Sequence, residues 1–185
     1  MTKIMKILMV SYSHTGNNRL LADHLGRKLN ADRETITASG RLTGLTIALD
    51  MLFNRKPGIA PAQHDPADYD TVVLAAPIWM GKIASPLRSY LQQHRSEIKR
   101  FAFITISGGA LGPNNKVPDE LHELAGTAPV EARQLYINDL LAESEKGERG
   151  KTSSYRLNQE DLDTPFAEQI DDFIGALTRA SQTTM

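Results

Sequence analysis

Residues 4–18, Ile-Met-Lys-Ile-Leu-Met-Val-Ser-Tyr-Ser-His-Thr-Gly-Asn-Asn, carry the strongest indication of the fold. The first seven, residues 4–10, form a nearly continuous apolar run, which is typical of a short strand buried on both faces. Polar residues follow, and then Leu21, Leu25 and Leu29 recur every four positions, on one face of a helix. A buried strand, a polar turn and an amphipathic helix in this order predict the first unit of a parallel α/β sheet.

The same alternation continues along the 185-residue chain. Further strands are predicted over residues 33–37, 71–76, 101–106 and 130–137, and further helices over residues 42–53, from Ser85-Pro86 onward, around 119–125 and over 166–177. Ser85 is predicted to be an N-cap, with Pro86 at the first helical position. Five strand–helix units predict a mostly parallel sheet with helices on both faces, joined by right-handed crossovers.

One segment does not fit this alternation. Residues 138–158 are polar and highly charged, and they are predicted to form a long exposed loop before the last helix, mobile rather than functional. The chain contains no internal repeat, and its length is close to one domain of roughly 150 residues. Residues 1–185 are therefore expected to form a single domain.

Composition and charge exclude several classes of function. The 21 Lys and Arg residues against 22 Asp and Glu leave a net charge of −1, which gives little attraction to a nucleic-acid backbone. The absence of cysteine excludes Cys-ligated metals, thiol nucleophiles and disulfides. His24, His64, His94 and His122 show no ligand spacing and are predicted to lie on the solvated surface. No metal site and no nucleic-acid partner are expected.

The N-terminal segment does not resemble an export signal. The apolar run after Lys6, residues 7–10, is far shorter than the roughly 7–15 apolar residues of a signal peptide. No stretch of the chain approaches the ~18 apolar residues that a membrane span requires. The expected location is therefore the cytoplasm, with no membrane span.

Doubly wound sheets bind ligands beyond the carboxyl ends of their strands, where the strand order reverses, so the loops after the first, third and fourth strands matter most. The first loop, residues 13–18, places hydroxyls, a glycine and two amides at a helix start, where free N–H groups and the helix dipole favour an anion. It lacks the lysine and spacing of a nucleotide-triphosphate loop. It therefore suits a phosphate that is held and not transferred, and a Ser/Thr-rich helix cap without a ligand is the alternative.

The other two loops suit a flat ring. Residues 76–82, Ala-Pro-Ile-Trp-Met-Gly-Lys, contain the only tryptophan, Trp79, and an indole above a sheet edge is costly to expose, so Trp79 is expected to stack on a ligand. A tryptophan without such a role would more often lie on a strand or a helix face. Residues 107–112, Ser-Gly-Gly-Ala-Leu-Gly, allow a close approach of backbone to a ligand.

The first and second of these three loops resemble those of a known family. The turn at residues 13–18 resembles the flavodoxin phosphate loop, Ser/Thr-x-Thr-Gly-Asn-Thr, with Asn18 in place of the usual threonine. Residues 76–81 resemble the flavodoxin loop whose tryptophan stacks on the flavin. The order of elements agrees from about residue 4 to residue 177. The resemblance implies a three-layer, doubly wound flavodoxin-like fold with a five-stranded parallel sheet in the order 2-1-3-4-5, and non-covalently bound FMN.

The resemblance also assigns the residues of the site. The phosphate would be held by Ser13, His14, Thr15, Gly16, Asn17 and Asn18, with an amide donor at Asn18 and the backbone rather than the imidazole of His14. The ring would lie against Pro77, Ile78, Trp79, Met80, Gly81 and Lys82, and its pyrimidine end against Ser107, Gly108 and Gly109. No catalytic residue is expected beyond the flavin itself.

The chain departs from well-known flavodoxins in its charges and aromatic residues. Residues 107–118 contain no aromatic and no acidic residue, and residues 77–96 contain Lys82, Arg88 and Arg95 but no carboxylate. The flavin is therefore expected to have neutral to positive surroundings and one open face. A lysine within several Å would stabilise a reduced, anionic flavin by ~1 to 4 kcal/mol at effective dielectric constants of 80 to 20. Alternatively, these cations point to solvent, and a second subunit supplies the missing aromatic ring.

These departures favour an oxidoreductase that passes electrons from NADH or NADPH through FMN to a quinone or similar small-molecule acceptor. The first alternative is a low-potential flavodoxin that shuttles single electrons between partner proteins. The second is a binding or regulatory module that has the fold without the flavin. A phospho-acceptor receiver domain shares the fold, but none of the three loops supplies the acidic cluster that it requires.

Overall fold

Five parallel strands form the central sheet in a computed structural model that describes residues 5–40, 43–53 and 55–182. The described residues form these five strands and a separate pair: β1 (Ile7–Ser11), β2 (Asp32–Thr35), β3 (Thr71–Ala75), β4 (Ile78–Trp79), β5 (Lys82–Ile83), β6 (Phe101–Ser107) and β7 (Ala132–Tyr136). The sheet order is β2-β1-β3-β6-β7, and β4 and β5 form a separate antiparallel pair. The expected order 2-1-3-4-5 is confirmed, since β6 and β7 are the fourth and fifth strands of the sheet.

The helices are α1 (Asn17–Lys28), α2 (Gly44–Leu52), α3 (Ser85–Gln93), α4 (Val117–Ala125), α5 (Arg149–Ser154), α6 (Gln159–Asp163) and α7 (Ala167–Gln182). The helix predicted from residue 42 begins at Gly44, and residue 42 lies outside the described residues. The N-cap of α3 is Ala84 and not Ser85, because the Ser85 hydroxyl lies inside the first turn and donates to Asp50 Oδ2 at 3.3 Å. Within the described ranges no helix is long and apolar enough to cross a membrane.

The two faces of the sheet carry separate apolar cores. Successive strand residues point to opposite faces, so Leu8 and Met9 of β1 belong to different clusters. One cluster joins the sheet to α1 and α7 through Leu21, Leu25, Ile170, Phe173 and Leu177, and the other joins it to α3 and α4 through Leu87, Leu91, Val117 and Leu121. The leucines that predict α1 are fully buried at positions 21 and 25, which confirms that interpretation.

Helix α2 is different from the other crossover helices. The chain segment that contains α2 lies between Ser39 and Gly58, and the Gly58 carbonyl accepts from the Ser39 N–H at 2.7 Å. The side chains of α2 that the structure describes belong to neither core cluster. The sequence predicts this helix correctly.

The segment 138–158 contains more structure than the expected loop. It holds 3₁₀ turns at Ile137–Leu140 and Glu143–Glu145, followed by α5. Most of its residues are exposed, but Thr152 is only 5% exposed. The segment packs on the carboxyl edge of the sheet, so the expectation of an irregular loop is wrong for these parts.

Candidate cofactor site

Three loops meet at the carboxyl edge of the sheet. They follow β1, β3 and β6, which are neighbours in the sheet, and the Tyr12 N–H still donates to Ala75 O at 2.9 Å at the end of β1 and β3. The first two loops touch where His14 meets Trp79, and the second and third touch where Asn114 Nδ2 donates to Gly81 O at 2.7 Å. The structure therefore brings together the three loops that the sequence singles out.

The first loop presents backbone donors at the start of α1. Gly16 is the N-cap in a left-handed conformation (φ 98°), and no side chain caps the helix. The first N–H groups of a helix have no partner within it, and together with the helix dipole they favour an anion in front of Asn17 and Asn18. The Ser13 hydroxyl accepts from the Gly16 N–H at 3.0 Å and fixes the turn. His14 and Thr15 are exposed at its tip.

The two asparagine side chains of this loop bind to distant backbone. Asn18 Nδ2 donates to Ile106 O, and its Oδ1 accepts from the Ile106 N–H, both at 2.9 Å. Asn17 makes the same kind of pair with the Tyr155 carbonyl and the Leu157 N–H, both at 3.1 Å. The amide donor expected at Asn18 is thus used by β6, and both residues offer an anion their backbone N–H groups.

The second loop folds into the β4–β5 hairpin. Trp79 pairs with Lys82 across a two-residue turn in which Met80 (φ 50°) and Gly81 (φ 80°) both have positive φ, the backbone of a type I′ turn. Trp79 therefore lies on a short strand and not on an irregular loop. Its half-buried ring is perpendicular to the rings of Tyr12 and His14, at centroid distances of 5.6 and 6.0 Å. These contacts hold the indole above the carboxyl end of β1.

A carboxylate from α4 supports the hairpin from below. Glu120 Oε2 accepts from the Ile83 N–H at 3.0 Å, and Arg88 Nε lies 3.2 Å from Glu120 Oε1. Burial raises the pKa of the Glu120 carboxyl, while the Ile83 N–H and the charge of Arg88 oppose that shift. Arg88 is 4% exposed, so neither expectation for it holds: it is not a free charge beside the ring and it does not point to solvent.

The three cations expected near the ring have three different positions. Lys82 lies on β5 opposite Trp79 and stays at the loops. Arg88 is paired with Glu120 inside the fold. Arg95 follows the C-terminal end of α3 and packs over Gly126 at the end of α4, which places it at the opposite edge of the sheet. Of these three residues, Lys82 alone adds positive charge to the candidate site.

The third loop has an aromatic neighbour that its own sequence does not contain. Tyr136 ends β7 opposite Ser107, and a Cβ on Gly109 (φ 73°) would lie 2.6 Å from the Cβ of Tyr136. Glycine is therefore required at position 109 for both its backbone and its contact. Residues 107–118 contain no aromatic residue, but an aromatic ring from the neighbouring strand β7 packs against this loop.

The segment 138–158 also contributes to the site. The Asn138 N–H donates to Gly108 O at 3.0 Å, and Thr152 packs against the same glycine. Arg156 reaches a cleft of about 310 Å³ beside the first loop, which is lined by Thr15, Gly16, Asn17, Arg19, Leu20, Asp23, Arg156 and Leu157. The sequence does not single out Arg156, Glu120 or Tyr136, because each reaches the site from a distant part of the chain.

Comparisons with known proteins support the flavodoxin-like fold. Residues 44–138, just over half of the chain, match the model of the flavodoxin domain. The flavoprotein of Lactobacillus acidophilus NCFM in complex with FMN is 23% identical over 70% of this chain and 93% of its own, with a TM-score of 0.62. Its apo form is 20% identical over 80% and 99%, with a TM-score of 0.58. No curated protein sequence matches the chain.

A candidate flavoprotein of Bacteroides eggerthii DSM 20697 has the same fold, with a TM-score of 0.64 and 21% identity over 71% of this chain and 88% of its own. Identities this low show the shared fold and no more. The family match confirms the resemblance to flavodoxins, and its range, residues 44–138, includes the loop at residues 76–81. The chain therefore belongs to the flavodoxin family.

Proposed function

We propose that the protein binds FMN non-covalently in the three loops and passes electrons from NADH or NADPH to a quinone or similar small-molecule acceptor. The observation that carries the proposal is the uncapped start of α1 directly beside Trp79. One feature suits a phosphate and the other a flat aromatic ring. When bound, FMN supplies the electron-accepting ring, and the protein binds, orients and shields it.

The first loop fits a phosphate ester. The N–H groups at the start of α1 and the hydroxyl of Thr15 supply donors, and the open space beside Gly16 leaves room for the group. Arg19 and Arg156 line the adjoining cleft, and guanidinium groups near a phosphate strengthen its hydrogen bonds. Phosphate binding here needs no metal ion.

The other two loops fit the ring. Trp79 provides an aromatic surface held by Tyr12 and His14, and the Met80–Gly81 turn and the Gly108–Gly109 backbone carry small or flexible groups beside it. In this arrangement Trp79 stacks on the ring, and the glycine backbone lets the third loop approach its edge.

The charges near the hairpin support the enzyme over the shuttle. Two cations act on the Glu120 carboxylate, Arg88 at 3.2 Å and Lys82 on β5, so positive charge exceeds negative charge at the hairpin. Surroundings of this kind favour a reduced, negatively charged flavin and so a two-electron reaction. The electron shuttle is the second candidate, since Met80 and Leu111 are 74% and 81% exposed at the site and could face a partner protein.

FMN binding is tested first, by titrating the apoprotein and following the emission of Trp79. Bound FMN should quench the only tryptophan strongly. Thr15→Ala removes a donor to a charged group and should weaken binding by about 1.5–3 kcal/mol, roughly tenfold to hundredfold. Thr127→Ala, an exposed threonine at the other edge of the sheet, is the matched control. Emission that does not respond to FMN, or equal affinities in the two variants, would contradict this site.

The reaction is tested by anaerobic reduction with NADH or NADPH, followed by turnover with a quinone. The enzyme should accept two electrons from the nucleotide, and Lys82→Glu should lower the reduction potential of the flavin. Lys99→Glu, an exposed lysine at the opposite edge, should leave the potential unchanged. A protein that binds FMN, reacts with neither nucleotide and takes up electrons one at a time would be the shuttle.

A further inference from the structure

Helix α2 is an apolar element that lies outside both core clusters of the described residues. Its half-buried residues Ile47 to Leu49 belong to neither core cluster, and Leu52 and Phe53 at its end are 70% and 60% exposed. Two polar contacts attach α2 and the residues that follow it to α3. The Ser85 hydroxyl donates to Asp50 Oδ2 at 3.3 Å, and the Ser89 hydroxyl donates to Pro57 O at 2.7 Å. Burial in the two cores therefore does not explain why Leu52 and Phe53 are apolar.

The exposed end of this helix is positively charged. The Arg55 guanidinium lies 5.4 Å from the centre of the Phe53 ring, and Lys56 follows it on the surface. Asp50 is the only acidic residue between positions 40 and 57, and it is 9% exposed and turned toward Ser85. Leu52 and Phe53 are thus exposed next to two cations, and the only carboxylate between positions 40 and 57, that of Asp50, is buried.

We propose that the C-terminal end of α2 and the residues just after it dock on an anionic lipid surface through Leu52, Phe53, Arg55 and Lys56. Leu52 and Phe53 would enter the boundary between headgroups and acyl chains, while Arg55 and Lys56 bind the lipid phosphates. Apolar and cationic residues side by side on a surface helix are the pattern of interfacial membrane binding. The proposal goes beyond the redox function and does not depend on FMN.

The charges argue against a second copy of the chain as the occupant. In a two-fold dimer the same patch meets itself, so Arg55 and Lys56 of the two copies would lie close together around the apolar contact and repel each other. Anionic phosphates instead complement both cations. Since α2 is joined to Ser85, two residues after β5, docking would bring the membrane close to the hairpin of the candidate site.

The test measures binding of the full-length protein to sedimented vesicles. Vesicles with equal parts of phosphatidylcholine and phosphatidylglycerol should bind the wild type, vesicles of phosphatidylcholine alone should bind it much less, and added salt should release it. The double variant Arg55→Glu/Lys56→Glu should lose binding to the anionic vesicles by about tenfold or more. Leu52→Ser/Phe53→Ser should lose it as well, because both apolar anchors are gone.

The matched control is Arg27→Glu/Lys28→Glu, which makes the same charge change at the end of α1. It should bind anionic vesicles like the wild type, and circular dichroism of each variant checks that it is folded. Equal binding to both kinds of vesicle, or equal losses in the two charge-reversal variants, would overturn the proposal. So would a wild type that binds no vesicles, including one that forms a dimer which Leu52→Ser/Phe53→Ser dissociates.

Discussion

The turn at residues 13–18 and the β4–β5 hairpin lie side by side, but they are held in opposite ways. The turn is fixed by its own side chains, which reach outward: Asn18 binds the backbone of β6, and Asn17 binds the backbone at Tyr155 and Leu157. The hairpin is fixed by side chains that reach inward from the region of α4, Asn114 and Glu120.

This difference shows that a residue of a sequence motif can support a loop without using its side chain on the ligand. Asn17 and Asn18 belong to the phosphate-loop motif, but their amides place the backbone donors and are themselves already bonded. The residues that hold the hairpin are not part of its motif. Contact with a ligand and support of a ligand-binding loop are therefore separate roles, and each loop can be weakened without removing the groups that are proposed to contact the ligand.

The largest effect is expected at the support of the hairpin. Glu120→Ala leaves Arg88 buried without its carboxylate and the Ile83 N–H without its acceptor. Breaking a buried ion pair costs about 3–5 kcal/mol, and the 18% exposure of the Glu120 side chain suggests the lower end of that range. The free energy of unfolding from denaturant titration measures it.

Glu123→Ala is the matched control, because Glu123 is an exposed glutamate on the same helix. It should change the free energy of unfolding by less than about 0.5 kcal/mol. A Glu120→Ala variant as stable as this control would show that Glu120 does not support the hairpin.

The next effect concerns the turn. Asn18→Ala removes both hydrogen bonds to Ile106 and leaves a buried N–H and a buried carbonyl unpaired. Each unpaired group costs about 1–3 kcal/mol. FMN affinity should fall as well, because the start of α1 is no longer tied to β6.

Asn115→Ala, at an exposed asparagine in the third loop, provides the comparison. The free energy of unfolding should be lower for Asn18→Ala than for Asn115→Ala by about 2 kcal/mol or more, the lower bound for two unpaired groups. If Asn18→Ala weakens FMN binding but leaves stability unchanged, the Asn18 side chain acts on the phosphate and not on β6.

Local patterns account for most of the fold and for the position of the site. The leucines at positions 21 and 25 and the apolar run at residues 7–10 predict a buried helix and strand because their burial follows from their own periodicity. The contacts of Gly109 with Tyr136 and of Glu120 with Ile83 could not be predicted, since each joins segments that are distant in the chain. Leucine spacing predicts α2 as well, but spacing alone does not identify what covers a helix.

A smaller effect is expected at His24, for which the sequence predicts a surface position although the residue is 4% exposed on α1. Its Nδ1 lies 2.8 Å from Gln159 Nε2, on the helix that follows the segment bound to Asn17. Burial lowers the pKa of His24, and the charge of Lys28 lowers it further against the opposing charge of Asp163. The unfolded chain therefore binds the proton more readily than the folded one.

The lowered pKa of His24 in the folded state sets the sign of the pH dependence of stability. The contribution of His24 to stability is complete above its unfolded pKa of about 6.5 and is lost as the pH falls through the lower folded pKa. Denaturant titrations in this window should show wild-type stability falling with the pH, and a shallower fall in His24→Gln. His122→Gln, at an exposed histidine, should follow the wild type. Identical pH profiles for wild type and His24→Gln would contradict the assignment.

The smallest effect is a gain in stability at the tip of the hairpin. Met80 has a φ of 50° in a type I′ turn, a conformation that disfavours most L-residues and that asparagine before glycine adopts readily. Because the Met80 side chain is 74% exposed, Met80→Asn loses little burial and should raise the free energy of unfolding by up to about 1 kcal/mol. Leu111→Asn, at an equally exposed apolar residue outside such a turn, should show no gain.

Measuring FMN affinity on the same variants separates the role of the backbone from that of the side chain at position 80. Higher stability with unchanged affinity would mean that the turn meets the ring through its backbone, and higher stability with weaker affinity would mean that the methionine side chain covers the ring.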